Sequence, residues 1–162
     1  IQYHPITESN ITRLRQLNSL LFPVRYNDKF YRDVLHVHPA DLSCLAFLER
    51  LPIGAISCRK EPLYPATDPR HDPRHCRVYI MTLGVLSPYR RLRVGSALLG
   101  RVEEAAGKDA GVVELALHVQ TSNTQALRFY ERHGFVKATM VKDYYIKNNV
   151  QPPDAWVLRK SV

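Results

Sequence analysis

The stretch Val78-Tyr79-Ile80-Met81-Thr82-Leu83-Gly84-Val85-Leu86, running through Ser87-Pro88-Tyr89 into Arg90-Arg91-Leu92-Arg93-Val94-Gly95-Ser96, decides the fold. Its first nine residues form an apolar run of strand length. From Leu92 to Ala106, apolar Val94, Leu98, Val102 and Ala105 recur on one helical face. A strand that feeds a basic, turn-rich loop at a helix N-terminus is a phosphate site by simple physics, because unpaired N–H groups meet the positive end of the helix dipole there. Arg90, Arg91 and Arg93 add countercharge. The same residues also suit a solvated basic helix start with no ligand, and from this segment alone both readings stand.

Working outward, Gly107 and Gly111 mark a turn into a second strand-like run, Val112 to Val119. Asn123 offers an N-cap to a short helix with Ala126, Leu127 and Tyr130 inside, and Gly134 stands where a left-handed C-cap is needed. Strands around Phe135 to Tyr145 and Ala155 to Lys160 follow, separated by Pro152-Pro153. Towards the N-terminus, Thr7 to Asn10 precede a helix with Ile11, Leu14, Leu17 and Leu21 on one stripe, which Pro23 ends. Phe22 to Asn27 is an apolar-aromatic loop, a second helix runs from about Asp28 to Val37, and Leu42 to Leu48 with Ile53 to Arg59 reads as a hairpin. Lys60 to Arg77, with Pro62, Pro65, Pro69 and Pro73, reads as a surface loop rather than a structured element. No repeat and no long linker interrupts this order, so residues 1–162 are expected to form one α/β domain.

The 162 residues suffice for one core that buries roughly two-thirds of the unfolded surface. A hydrophobic content of 45% with 7 glycines and 11 prolines excludes collagenous and wholly disordered classes. The net charge of +8 should attract phosphate, nucleic acid or acidic surfaces. Cys44, Cys58 and Cys76 are odd in number and contain no CxxC pair, which fits a reducing compartment; a cytoplasmic protein is expected, with the nucleus also open to it. His71, His75 and Cys76 supply no fourth ligand at matched spacing, so no metal is expected. No apolar stretch reaches membrane-spanning length, and no nucleic-acid-binding module is visible.

Two motifs carry a resemblance. Arg90-x-x-Arg93-x-Gly95 resembles the acetyl-CoA-binding pattern of the GCN5-related N-acetyltransferase (GNAT) superfamily, and Asn123-x-x-Ala126-x-x-Phe129-Tyr130-x-x-x-Gly134-Phe135 resembles its second signature. More narrowly, Phe22-Pro23-Val24-Arg25-Tyr26-Asn27-Asp28, Tyr79 to Gly84 and Leu117-His118-Val119-Gln120 resemble N-terminal acetyltransferases of the NatE type. The resemblance spans about residues 11 to 160 and implies a mixed, mostly antiparallel sheet flanked by about four helices. One departure stands out: arginine occupies position 93, where the family has the first motif glycine, a residue that lets the backbone approach pyrophosphate closely.

The implied reaction moves acetyl from acetyl-CoA to a protein N-terminus by direct attack in a ternary complex, with no enzyme nucleophile. An α-amino group of pKa near 8 is roughly a fifth neutral at pH 7.4, whereas a lysine side chain is neutral about once in a thousand molecules, so modest base catalysis suffices. By resemblance, Tyr79 and His118 are the bases. Leu83, Val85, Arg90, Arg91, Arg93, Val94, Gly95, Ser96, Asn123 and Tyr130 hold the coenzyme, with backbone N–H groups around Leu83 and Val85 at the thioester carbonyl and the Tyr130 hydroxyl near sulfur. Phe22, Pro23, Val24, Tyr26, Met81, Tyr144 and Tyr145 line an aromatic slot suited to a retained initiator Met followed by an apolar residue. Implied partners are nascent polypeptide N-termini, the NatA catalytic and auxiliary subunits and the ribosome. Two other readings stay open: an inactive GNAT subunit of the NatA assembly, if Arg93 spoils the coenzyme loop, and acetylation of lysine side chains.

Overall fold

The computed structural model describes residues 1–162, folded around a seven-stranded sheet with two helices on each face. The strands are β1 (Gln2–Pro5), β2 (Cys44–Leu48), β3 (Leu51–Pro62), β4 (Cys76–Val85), β5 (Val112–Gln120), β6 (Val136–Val141) and β7 (Ala155–Ser161). The helices are α1 (Ile11–Leu21), α2 (Asp28–His36), α3 (Val94–Gly107) and α4 (Thr124–Arg132). Sheet order is β1-β2-β3-β4-β5-β7-β6, and every pair is antiparallel except β4 with β5, which α3 joins as a crossover. The expected mixed sheet and four helices are present.

Period-two alternation divides the core between the two faces. Ile53, Ile56, Cys58, Val78, Ile80, Leu115 and Leu117 point towards α3 and α4, where Val94, Leu98, Leu99 and Val102 are buried. Leu45 and Ala55 point the other way, into a smaller core with Leu14 and Leu17 of α1 and Tyr31 and Val34 of α2. Burial pushes the thiols of Cys44 and Cys58 up from their ordinary range, as befits inert packing groups. No helix is long and apolar enough to cross a membrane.

Several boundaries differ from the sequence reading. β1 is too short and polar to show in a periodicity search; it adds to the edge of β2. Asn10 makes no side-chain bond into α1, because its amide instead ties Thr7 N–H and the Pro5 carbonyl at 2.8 and 2.9 Å. Lys60 to Pro62 extends β3, and Cys76 and Arg77 begin β4, so the proline loop is confined to residues 63–75. That loop does contain a repeat, Asp68-Pro69-Arg70-His71 and Asp72-Pro73-Arg74-His75, and it is ordered by it. In each copy the carboxylate accepts from the arginine backbone N–H (2.8 and 2.9 Å) and from its guanidinium, and these bonds hold both aspartates below the usual carboxylate range. α3 begins at Val94 rather than Leu92, and β6 ends at Val141, which leaves Tyr144 and Tyr145 on a loop. Gly134 has φ +88° and ends α4 as expected.

Leu98 is fully buried between α3 and the sheet. Leu98→Ala is expected to lower unfolding free energy by about 2–5 kcal/mol in urea denaturation, with an unchanged m-value.

Candidate active site

The site begins where two strands part. β4 and β5 pair only from Cys76↔Val112 to Tyr79↔Ala116; beyond that β4 continues against β3 as far as Gly54↔Val85, and β5 continues against β7. The result is a wedge whose walls are Ile80 to Val85 on one side and Leu117 to Gln120 on the other. A bulge assists the parting: Ser57 faces Thr82 and Cys58 faces Ile80, so Met81 is the extra residue.

The wedge exposes backbone donors. Leu86 N–H donates to the Ile53 carbonyl at 2.8 Å, and antiparallel alternation then turns Gly84 and Thr82 towards β3 as well. The N–H groups of Leu83 and Val85 therefore face the open side. The Val85 carbonyl confirms that direction by accepting from Arg90 Nε at 3.0 Å. After the short 3₁₀ turn Ser87–Tyr89, α3 begins at Val94, and the N–H groups of Val94, Gly95 and Ser96 have no acceptor in the preceding turn. Gly95 packs on Phe129 of α4, where an added Cβ would lie 3.5 Å from the ring.

Arg93 is the N-cap of α3 at φ 60°, ψ 23°, and Arg91 has φ 68°. Position 93 thus does require the left-handed conformation that glycine would adopt freely. Arg90, Arg91 and Arg93 form no ion pair with a carboxylate.

At the fork itself Tyr79 and His118 share a face, with the phenol oxygen 2.6 Å from Nδ1. Tyr144 stacks on the His118 ring at 4.0 Å between centroids and an interplanar angle of 4°, and its hydroxyl lies 3.5 Å from that of Tyr79. Burial pushes the Tyr79 phenol far above its ordinary range, so it stays protonated and cannot serve alone as a base. Burial, and secondarily the nearby Arg59 guanidinium, lower the His118 pKa below its ordinary value of 6.5, which keeps the imidazole neutral at pH 7. Arg59 lies directly across from Tyr79 on β3, with its guanidinium 4.5 Å from the ring centroid, and is held by Glu61 at 2.8 Å.

The proposed substrate residues gather beside this pair. Phe22 caps α1 and stands edge-on to Tyr26 at 6.3 Å; Tyr26 stacks on Phe30 at 4.5 Å. Pro23 is exposed and Val24 half-buried in the same loop. Tyr144 and Tyr145 are edge-on at 4.8 Å, and burial with the neighbouring tyrosines pushes Tyr145 up to about 12. Burial first, and then the neighbouring tyrosine hydroxyls, push the Tyr26 phenol up from its ordinary range. Gly84 lets the end of α1 approach β4, since a Cβ there would come within 2.9 Å of both Leu21 and Phe22.

Two expected coenzyme residues have structural duties too. Asn123 caps α4 by accepting from Ala126 N–H at 3.1 Å. Tyr130 is 7% exposed, edge-on to Phe129 and Phe135, and its hydroxyl makes no hydrogen bond within the protein. The sequence reading missed Arg59 and His133, whose imidazole bonds Ser96 of the predicted phosphate loop at 3.0 Å. Arg59 was accessible in principle, because Ala55, Ser57 and Arg59 alternate on the face that carries Tyr79.

The sequence profile of the Acetyltransferase (GNAT) family matches residues 11–135. The chain belongs to that family. Among GNAT proteins it is similar to N-alpha-acetyltransferase 50 of Danio rerio, at 41% identity over all of this chain and 89% of the relative. It is 40% identical to a probable N-acetyltransferase, san, of Drosophila melanogaster, over all of this chain and 81% of that one. Its fold matches that of Arabidopsis thaliana Naa50 in complex with the bisubstrate analogue CoA-Ac-MVNAL, with a TM-score of 0.86 and 39% identity over 99% of this chain and 98% of the other. The narrower resemblance read from Phe22 to Asp28, Tyr79 to Gly84 and Leu117 to Gln120 thus extends along the whole domain.

Two outcomes follow from this GNAT site. A left-handed arginine costs about 1–2 kcal/mol, and glycine returns about 0.4–1 of that through its looser unfolded chain, so Arg93→Gly should raise stability by about 0.5–1 kcal/mol in thermal melts. Removing the Arg59 charge relieves one of the two influences that depress His118. In Arg59→Ala the acid limb of kcat/KM should therefore move to higher pH than in the parent, towards the ordinary histidine range; an unmoved limb would show that Arg59 does not act on His118.

Proposed function

We propose that this protein transfers acetyl from acetyl-CoA to the N-terminal α-amino group of polypeptides, by direct attack in a ternary complex. The observation that carries this reading is the 2.6 Å Tyr79–His118 pair standing at the fork of β4 and β5, between an amide-lined wedge and an aromatic slot. The unpaired N–H groups of α3 and the free guanidiniums of Arg91 and Arg93 suit the coenzyme's pyrophosphate, so the residues present fit the ligand. The outward amides of Leu83 and Val85 suit the thioester carbonyl as it gains negative charge.

In the reaction the amine nitrogen forms its bond to the acetyl carbon as the carbon–sulfur bond breaks. Tyr79 receives the amine's proton, directly or through one water, while its own proton passes to Nδ1 of neutral His118. This division of labour follows from the environments of the two side chains: the phenol is too weakly acidic to ionise, and the imidazole is free to accept. Tyr130, likewise held protonated by burial, donates a hydrogen bond to the departing thiolate, whose charge is balanced by the proton now on His118.

Phe22, Val24, Tyr26, Met81, Tyr144 and Tyr145 support a methionine side chain as the first residue, because a flexible thioether packs well among aromatic rings. The analogue in the Arabidopsis structure carries a peptide that likewise begins with Met. An apolar second residue would meet the turn Ile146–Asn148, where Ile146 is exposed. Nascent chains are the natural source of such N-termini. The free cysteines fit a reducing cytoplasm and the basic surface fits a ribosomal neighbour, while the NatA assembly as a partner is what the NatE-type resemblance implies.

Tyr79→Phe and His118→Ala should each lower kcat by about 100-fold or more while calorimetry still detects acetyl-CoA binding. Undiminished turnover in both would remove the assignment. A peptide beginning Met-Leu should be acetylated faster than one beginning Ser-Glu, and blocking its N-terminus should abolish the reaction even where an internal lysine is present. No acetyl-CoA binding at millimolar ligand would favour the inactive subunit instead.

A further inference from the structure

His133 follows the last turn of α4, and both of its ring nitrogens are engaged. Nδ1 lies 2.7 Å from the Phe129 carbonyl, and Nε2 lies 3.0 Å from Oγ of Ser96, the third residue of α3. The ring also packs on Phe129 at 4.4 Å between centroids, and Phe129 in turn lies against Gly95. One imidazole thereby ties the end of α4 to the first turn of α3, which is the turn whose N–H groups are unpaired.

The directions of these two bonds depend on protonation. A carbonyl oxygen only accepts, so Nδ1 carries a hydrogen in either charge state. When the ring is neutral, Nε2 is bare and must accept, which commits the Ser96 hydroxyl proton to the imidazole. When the ring is protonated, Nε2–H donates to Ser96 Oγ instead, and the serine proton is free to turn towards an anion at the helix N-terminus. An anion there also favours the charged ring electrostatically.

We infer that His133 is a positioning residue of the coenzyme loop, and that binding the pyrophosphate of an acyl-CoA is linked to protonation of this imidazole through Ser96. The inference rests on the acetyl-CoA reading above. On the elements packed around the pair, the charged groups are Arg93 at the N-cap of α3, Arg101, Glu103 and Glu104 on α3, Arg159 and Lys160 on β7, where the Lys160 ammonium bonds Glu103 at 3.0 Å, and Arg128, Glu131 and Arg132 on α4. Substituting Ser96 changes none of these groups. The proton relay is therefore separable from the general field of the loop.

The test is calorimetric titration of the full chain with acetyl-CoA at pH 8, 7 and 6, in the parent, Ser96→Ala and His133→Gln. Glutamine places a permanent donor near the Nε2 position and cannot titrate. The coenzyme's own phosphomonoester titrates in this range in every variant, so the quantity read is the difference between variants. Between pH 8 and pH 6 the parent should gain about three- to tenfold more affinity than Ser96→Ala. His133→Gln, which cannot titrate, should show the shallowest slope, with Ser96→Ala between it and the parent. Should His133→Gln fail to fold, the His133 imidazole resonance decides: bound acetyl-CoA should move it towards higher pH by more in the parent than in Ser96→Ala. Equal slopes in the parent and Ser96→Ala, or an equal movement of the resonance in both, would overturn the inference. An absence of binding in all three proteins would instead overturn the coenzyme reading beneath it.

Discussion

The interaction on which the rest depends is one that stops: the backbone pairing of β4 with β5, which ends at Tyr79↔Ala116. Strands normally satisfy both edges, and an interior strand that abandons one of them leaves donors and acceptors to be met some other way. Here β4 keeps β3 as its partner, and the Met81 bulge lets the strand change direction without losing that ladder. The unmatched side then supplies the Leu83 and Val85 amides to the wedge. Because α3 starts a few residues later, its unpaired N–H groups open onto the same space. Tyr79 and His118, the proposed bases, fall at the fork for the same reason, since Tyr79 is the last residue of β4 paired with β5 and His118 stands two residues beyond its partner Ala116.

The chemistry of the pair depends on what surrounds it. A tyrosine and a histidine 2.6 Å apart could share a proton in several ways, but burial disfavours both the phenolate and the imidazolium. The Arg59 guanidinium opposes the second further while its planar face rests on the Tyr79 ring. Glu61 acts in the opposite sense on His118, yet it is engaged by Arg59 and Arg77 at 2.8 and 3.4 Å. Stacked Tyr144 covers one face of the imidazole and limits water access. Neutral partners at rest are what a relay that accepts one proton requires.

Much of this was legible in the residues. The apolar run from Val78 to Leu86, the helical stripe of Val94, Leu98 and Val102, and the capping by Asn123 and Gly134 are local signals, and local signals survive folding because the sheet and helices merely bury residues already patterned. The aromatic slot and the base pair came from motif resemblance, not from spacing, since a tyrosine and a histidine 39 residues apart carry no local mark of contact. What escaped was either short or non-local. β1 has four residues and a largely exposed pattern, and the turn structure of the Asp-Pro-Arg-His repeat lies in side-chain bonds that proline counting conceals. His133 meets Ser96 across 37 residues, and neither residue is unusual in its own segment.

The excess positive charge is distributed unevenly, and that unevenness bears on how the coenzyme loop works. Along the face of the sheet, Arg59, Glu61, Arg77, Glu114 and Arg159 alternate in sign and pair with one another within 3.5 Å. The proline loop matches Asp68 to Arg70 and Asp72 to Arg74 in the same way. Arg91 and Arg93 have no such partner, and both occupy left-handed backbone. Such a conformation is favoured at these positions only by its context, because it costs a bulky residue more than it costs glycine. A cation placed there gains nothing from the protein, whereas close to two phosphates it gains charge-assisted bonds. On the proposed coenzyme reading, arginine instead of glycine at position 93 thus trades folding stability against affinity for an anionic ligand, and the field of the loop is left unopposed for that ligand to meet.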